Sequence, residues 1–142
     1  MIEEVEMNMK KQDLGSWGKL FKPYRKYCDI KDMVGKKVLG IYYDEENFQI
    51  LTDDGVYAFY HEQDCCESVW LTQVDGISDK LIGSRIVIAE VATTEKSVAG
   101  ESITWSFYKI GTNKGMIDFR FQGESNGYYS ESVDLVKIEV SE

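Results

Sequence analysis

A five-residue pattern occurs twice in this chain, and it limits what the chain can fold into. Glu67-Ser68-Val69-Trp70-Leu71 is answered by Glu131-Ser132-Val133-Asp134-Leu135. A second pair of segments, Lys31 to Val38 and Asp79 to Ile86, aligns Gly35 with Gly83. The glycines are 48 residues apart and the glutamates 64, so the later half carries 16 additional residues. Self-similarity of this kind indicates one structural unit used twice, each copy needing the other to cover its apolar face.

Each half reads as a helical turn followed by four strands. Asp29 is placed to cap a turn over Ile30 to Val34, with Gly35 behind it. Val38 to Tyr43, Phe48 to Thr52, Val56 to His61 and Cys66 to Val74 are β-rich runs, and Asp53-Asp54-Gly55 is a hairpin signal. In the second half Ile77 to Ile82 reads as a turn closed by Gly83. The strands there are Arg85 to Thr93, Ser102 to Ile110, Met116 to Gln122 and Tyr128 to Val140, with a long polar loop at Thr94 to Glu101. Ile103, Trp105 and Phe107 alternate with Ser102, Thr104 and Ser106; Ile117, Phe119 and Phe121 alternate with Asp118, Arg120 and Gln122. Period-two patterning means half-buried antiparallel strands. The expected fold is mainly β, or α+β with short helices. It is an antiparallel sandwich or roll of two pseudo-repeated four-stranded meanders, at about 29–75 and 76–140, related by an approximate twofold.

Ahead of this body lies a stretch of different charge. Net charge is −9 over the chain, yet residues 10–37 hold nine basic side chains against Asp13, Asp29 and Asp32. The expected organisation is a basic arm, residues 1–28, before one acidic domain, residues 29–142. Residues 1–12 read as a frayed tail. Leu14, Trp17, Leu20 and Phe21 make a short helical stripe that Pro23 ends. An acidic body repels nucleic acid and favours a partner with a basic surface. No run approaches the roughly 18 apolar residues of a membrane helix, and the acidic start is unlike a signal peptide. The expectation is a cytoplasmic protein with no membrane or nucleic-acid partner and no cofactor. The residues leave its oligomeric state open.

The repeat directs attention to Glu67 and Glu131. Each shares a strand face with a valine and a leucine, so each carboxylate leans toward the core and must be paired or hydrogen-bonded there. Three readings stay open. The glutamates pin the loops 62–66 and 123–128; or, with Asn126, Tyr128 and Tyr129, they line a polar ligand pocket; or they form an acid–base pair. Cys28, Cys65 and Cys66 are odd in number, and two are adjacent, which reads as reduced thiols, the adjacent pair buried at a strand start. His61 with Cys65 or Cys66, oriented by Asp64 or Glu62, is a nucleophile candidate; the same residues lack the spacing of a structural zinc site.

Several blocks taken together carry a resemblance: His61-x-Gln63-Asp64-Cys65-Cys66-Glu67-Ser68-Val69, Trp105-x-Phe107-Tyr108-Lys109, Lys114-Gly115, and Gly123-x-Ser125-Asn126-Gly127-Tyr128-Tyr129-Ser130-Glu131-Ser132-Val133. They resemble an uncharacterised domain family of bacteriophages and prophages, over roughly residues 30–138. In size and charge the chain is also similar to small acidic phage inhibitors of bacterial defence, among them an inhibitor of a defence-associated sirtuin, an NAD-depleting enzyme. The resemblance implies a non-enzymatic protein that binds a host defence effector directly. Trp17, Phe21, Tyr24 and Arg25 are the expected contacts, Trp, Tyr and Arg being the usual interface anchors. The alternatives are a sponge for a nucleotide signal, with its pocket at Glu67, Asn126, Tyr128, Tyr129 and Glu131, and a Cys–His hydrolase.

Overall fold

A computed structural model of the chain describes residues 2–14 and 25–139. Beyond Leu14, the helical stripe expected from Asp13 to Phe21 lies outside the described residues. The described elements are strands β1 (Val5–Met7) and β2 (Arg25–Tyr27), a 3-10 turn at Ile30–Met33, and β3 (Val38–Tyr43), β4 (Phe48–Thr52), β5 (Gly55–Tyr60) and β6 (Ser68–Asp75). A second 3-10 turn at Asp79–Leu81 is followed by β7 (Ile86–Val98), β8 (Glu101–Thr112), β9 (Gly115–Ser125) and β10 (Asp134–Ile138). The fold is mainly β, in two antiparallel sheets ordered β1-β3-β4-β5-β10-β2 and β6-β9-β8-β7.

The repeat is visible in the hydrogen bonds. Asp29 caps the first turn by accepting from the Lys31 amide, and Ser78 caps the second by accepting from that of Lys80. Gly35 and Gly83 follow with φ of 91° and 87°, a region open to glycine. Between the halves, Gly35 N donates to Ile86 O and Gly83 N to Val38 O, each at 2.7 Å. Val38 N donates to Ser84 O and Ile86 N to Lys36 O. The pseudo-twofold axis therefore passes beside the bridge between Lys37 and Arg85. Even the irregularities repeat: β3 shifts register between Val38 and Gly40, and β7 between Ile86 and Ile88.

Three strands of each half form a meander, and the fourth crosses to the other sheet. β6 leaves β5 and pairs with β9, while β10 leaves β9 and pairs with β5. Each sheet thus needs both halves. Four rings fill the centre. Phe48 pairs across the ladder with Phe59, and Tyr108 with Phe119. Phe48 stacks on Phe119 at 3.9 Å between centroids, and Phe59 meets Tyr108 edge-on at 4.8 Å. Fully burying one such ring stabilises by about 1.5–3 kcal/mol, and each favourable ring pair adds about 0.5–1.5 kcal/mol.

Three expectations need correction, and one alternation acquires a direction. The stretch read as a frayed tail contains β1, which pairs with β3; β2 pairs with β10, so both strands flank the six-stranded sheet. The segment 94–101, read as a loop, continues β7 and β8 to a two-residue turn. There Ala99 and Gly100 have φ of 52° and 81°, the geometry of a primed hairpin turn. Its polar composition suggested a loop because its residues are solvent-exposed beyond the core. The last strand begins at Asp134, not Tyr128, because the chain is still passing between sheets. Finally, the inward row of β8 is Ser106, Tyr108 and Ile110, and Phe107 is 43% exposed. Alternation alone does not say which row faces the core.

Candidate functional site

The two passages between sheets run side by side. His61 Nδ1 lies 2.6 Å from Ser132 O, and its Nε2 lies 3.2 Å from Glu67 Oε1. Each ring nitrogen thus faces an acceptor, and both contacts are filled when the ring carries two N–H groups. Glu62 N donates to Asp134 Oδ2 at 3.0 Å. Glu67 is 3% exposed, and its carboxylate also accepts from the amides of Asp64 at 2.6 Å and Cys65 at 3.3 Å. Burial pushes the Glu67 carboxyl up, but the Asp64 amide, the His61 ring and the Cys65 amide outweigh it and hold the group at about 2.

Glu131 occupies the matching place in the other passage. It accepts from the hydroxyls of Ser125 and Ser102. Its backbone and Cβ lie against Gly123, where an added Cβ would stand 2.6 Å from that of Glu131. Gly123 pairs in turn with Val69 of β6. Both glutamates therefore direct their oxygens to nearby loop and strand groups. A cavity of about 360 Å³ opens beside them, lined by Cys66, Ser68, Glu101, Ser102, Ser125 and Asn126. Of the expected pocket residues, Asn126 lines this cavity. Its Oδ1 accepts from the Tyr128 amide. Tyr128 is 83% exposed and meets Tyr129 edge-on at 5.0 Å.

The cysteine expectation is overturned. Cys65 and Cys66 are exposed and joined to each other by a disulfide, and Cys28 is the free thiol. His61 is engaged by Glu67 and Ser132 rather than by a thiol. Burial, with the charge of Asp32, pushes the Cys28 thiol up to about 11. Of the expected contact residues, Trp17, Phe21 and Tyr24 lie outside the described residues. Arg25 is in β2 with a side chain 14% exposed; it donates to Leu14 O, pairs with Glu62 and lies over the Tyr60 ring.

Sequence reasoning missed the outer face of the four-stranded sheet. Pairing puts Trp70 of β6, Gln122 of β9 and Trp105 of β8 in one row, and Arg120 and Phe107 in the next. Trp105 Nε1 donates to Gln122 Oε1 at 3.3 Å; Arg120 Nε donates to Thr72 Oγ1 at 2.9 Å, with its guanidinium 6.0 Å from the Phe107 ring centre. The aromatic alternation of β8 was the available signal. The outer face of the six-stranded sheet differs. There Leu14 and Met9 pack with Val56, Ala58, Tyr60, Val136 and Ile138 as a second small core. Gln12 and Gln49 exchange two hydrogen bonds, which holds the covering segment in place. Among the described residues, no element covers Trp70, Trp105 and Phe107 in this way.

Fold and site together define a class: a β-sandwich whose halves exchange their fourth strands and whose two exchange points each enclose a glutamate. Over residues 31–135 the chain belongs to DUF7448, a domain family of unknown function. No curated protein and no solved structure matches it.

Proposed function

We propose that this chain is a non-catalytic binding protein that works by direct contact with another protein, through the outer face of its four-stranded sheet. The observation that carries this reading is the asymmetry between the two outer faces. One is closed by residues 9–14; on the other, among the described residues, an exposed phenylalanine stands with two half-buried tryptophans and a half-buried arginine under no covering segment. Such residues are the common anchors of protein interfaces. The acidic balance of the body favours a partner with a basic rim around an apolar patch. Within the phage-type resemblance, the partner is a bacterial defence effector, a sirtuin-type NAD-depleting enzyme being one candidate.

The test is native recovery of the tagged chain from a bacterial host that carries candidate defence systems. The expected result is one stoichiometric protein, bound about 30-fold more weakly by Trp105→Ala or Phe107→Ser variants, a hot-spot loss of about 2 kcal/mol. A partner held equally well by both variants, with melting temperatures unchanged, would overturn the assignment of this face.

A further inference from the structure

We infer that β7 is the interface between two copies of this chain, which join edge to edge into a continuous eight-stranded sheet. β7 is the last strand of its sheet, and residues 90–98 are exposed. Its counterpart by the pseudo-twofold is β3, whose edge is paired: Val5 lies opposite Tyr43 and Met7 opposite Ile41. The equivalent positions on β7 are Val91 and Ala89. Past Ile86, whose outer side is taken by Gly35 and Lys36, no described residue pairs with this edge.

The hairpin turns determine which amides face that edge. Val98 and Glu101 flank the two-residue turn Ala99-Gly100, so they form a hydrogen-bonded pair, and bonding alternates from there. Val98, Lys96, Thr94, Ala92 and Glu90 bond to β8. The amides of Ser97, Glu95, Thr93, Val91 and Ala89 point the other way. A second antiparallel β7 must set outward amides against outward amides, which removes half of all registers.

Side chains select among the rest. A twofold centred on Thr93 places Glu90 opposite Lys96 of the second copy, and Lys96 opposite its Glu90. The same register sets Ile88, 36% exposed, opposite Val98, 56% exposed, again twice. Moving the centre by one residue either way sets Glu90 against Thr94 or Val98 and loses both ion pairs. An isologous contact of this kind is self-complementary and closed, and it satisfies an open edge that otherwise invites indiscriminate pairing.

Sedimentation of the purified full chain across the micromolar range tests this. The expected mass is twice 16.3 kDa. Glu90→Lys and Lys96→Glu each weaken association about tenfold, since two opposed pairs become like-charged, and the double reversal restores it. Thr93→Pro gives monomer; its amide faces away from β8, so the hairpin keeps its bonds. Hydrogen exchange at Val91, Thr93, Glu95 and Ser97 slows as concentration rises. A chain of 16.3 kDa at every concentration overturns the inference. So does a dimer indifferent to the charge reversals, even if Thr93→Pro fails to fold.

Discussion

Glu67 concentrates the chemistry of the crossover at one carboxylate. It is buried, and three donors converge on one oxygen of its carboxylate, so an amide in its place keeps an acceptor but loses the charge that strengthens those bonds and sets an NH2 where the second oxygen lay. A Glu67→Gln variant is expected to lose about 2–4 kcal/mol in urea unfolding, within the range for broken buried charge interactions. The pH sign follows from linkage. The folded group sits at about 2 and the unfolded one at 4.5, so its stabilisation is present above 4.5 and is lost as pH falls through about 2. Stability of the wild type should therefore drop more steeply between those limits than that of Glu67→Gln. Asp54 is held at about 2 as well, by Lys137 and Lys36, but it is far more exposed. Screening by solvent makes the Asp54→Asn change in acid sensitivity the smaller of the two. The buried glutamates were legible in the sequence, because the repeat placed each beside a valine and a leucine. The partner of Glu67 was not, since His61 and Ser132 meet only after the two passages are brought together.

Among the elements, the β7–β8 hairpin carries the difference between the halves. Val38 to Thr52 in the first half corresponds to Ile86 to Thr112 in the second, which is twelve residues longer. Its turn places alanine where φ is positive, a conformation that favours glycine or asparagine. Ala99→Gly should raise stability by about 0.5–1 kcal/mol, read as a small upward shift in melting temperature. The connection after β6 gives the opposite case. Gly76 has φ of 88°, and a Cβ there would stand 1.9 Å from Met116 O, a backbone atom. Gly76→Ala should destabilise by about 3 kcal/mol or more, among the largest effects of a single methyl. Thermal or urea unfolding checks both. The polar hairpin read as a loop in sequence because strand composition records burial as much as backbone preference. A strand that extends past its core shows little apolar alternation.

At the scale of the molecule, the two halves share a plan but not an environment. The N-terminal segment supplies β1 and β2 to the six-stranded sheet and covers that sheet's outer face. Among the described residues, nothing pairs with the β7 edge of the four-stranded sheet past Ile86 or covers its aromatic face. Their independence is itself testable. Trp105→Ala should weaken partner binding while leaving sedimentation unchanged, and Lys96→Glu should do the reverse, because β7 and the centre of β8 present different groups. Binding through the acidic body should also weaken as salt rises.

By itself, the sequence determined the doubling, the capped turns, most strand positions and the buried glutamates, because periodicity, turn chemistry and capping act between near neighbours in the chain. Strand exchange, the direction that Trp105 and Phe107 face, and the contact of His61 with Ser132 were decided by tertiary structure. These depend on which strands lie side by side. Sheet pairing joins residues far apart in sequence, and any strand with a suitable alternating row offers an acceptable neighbour until the whole core is assembled.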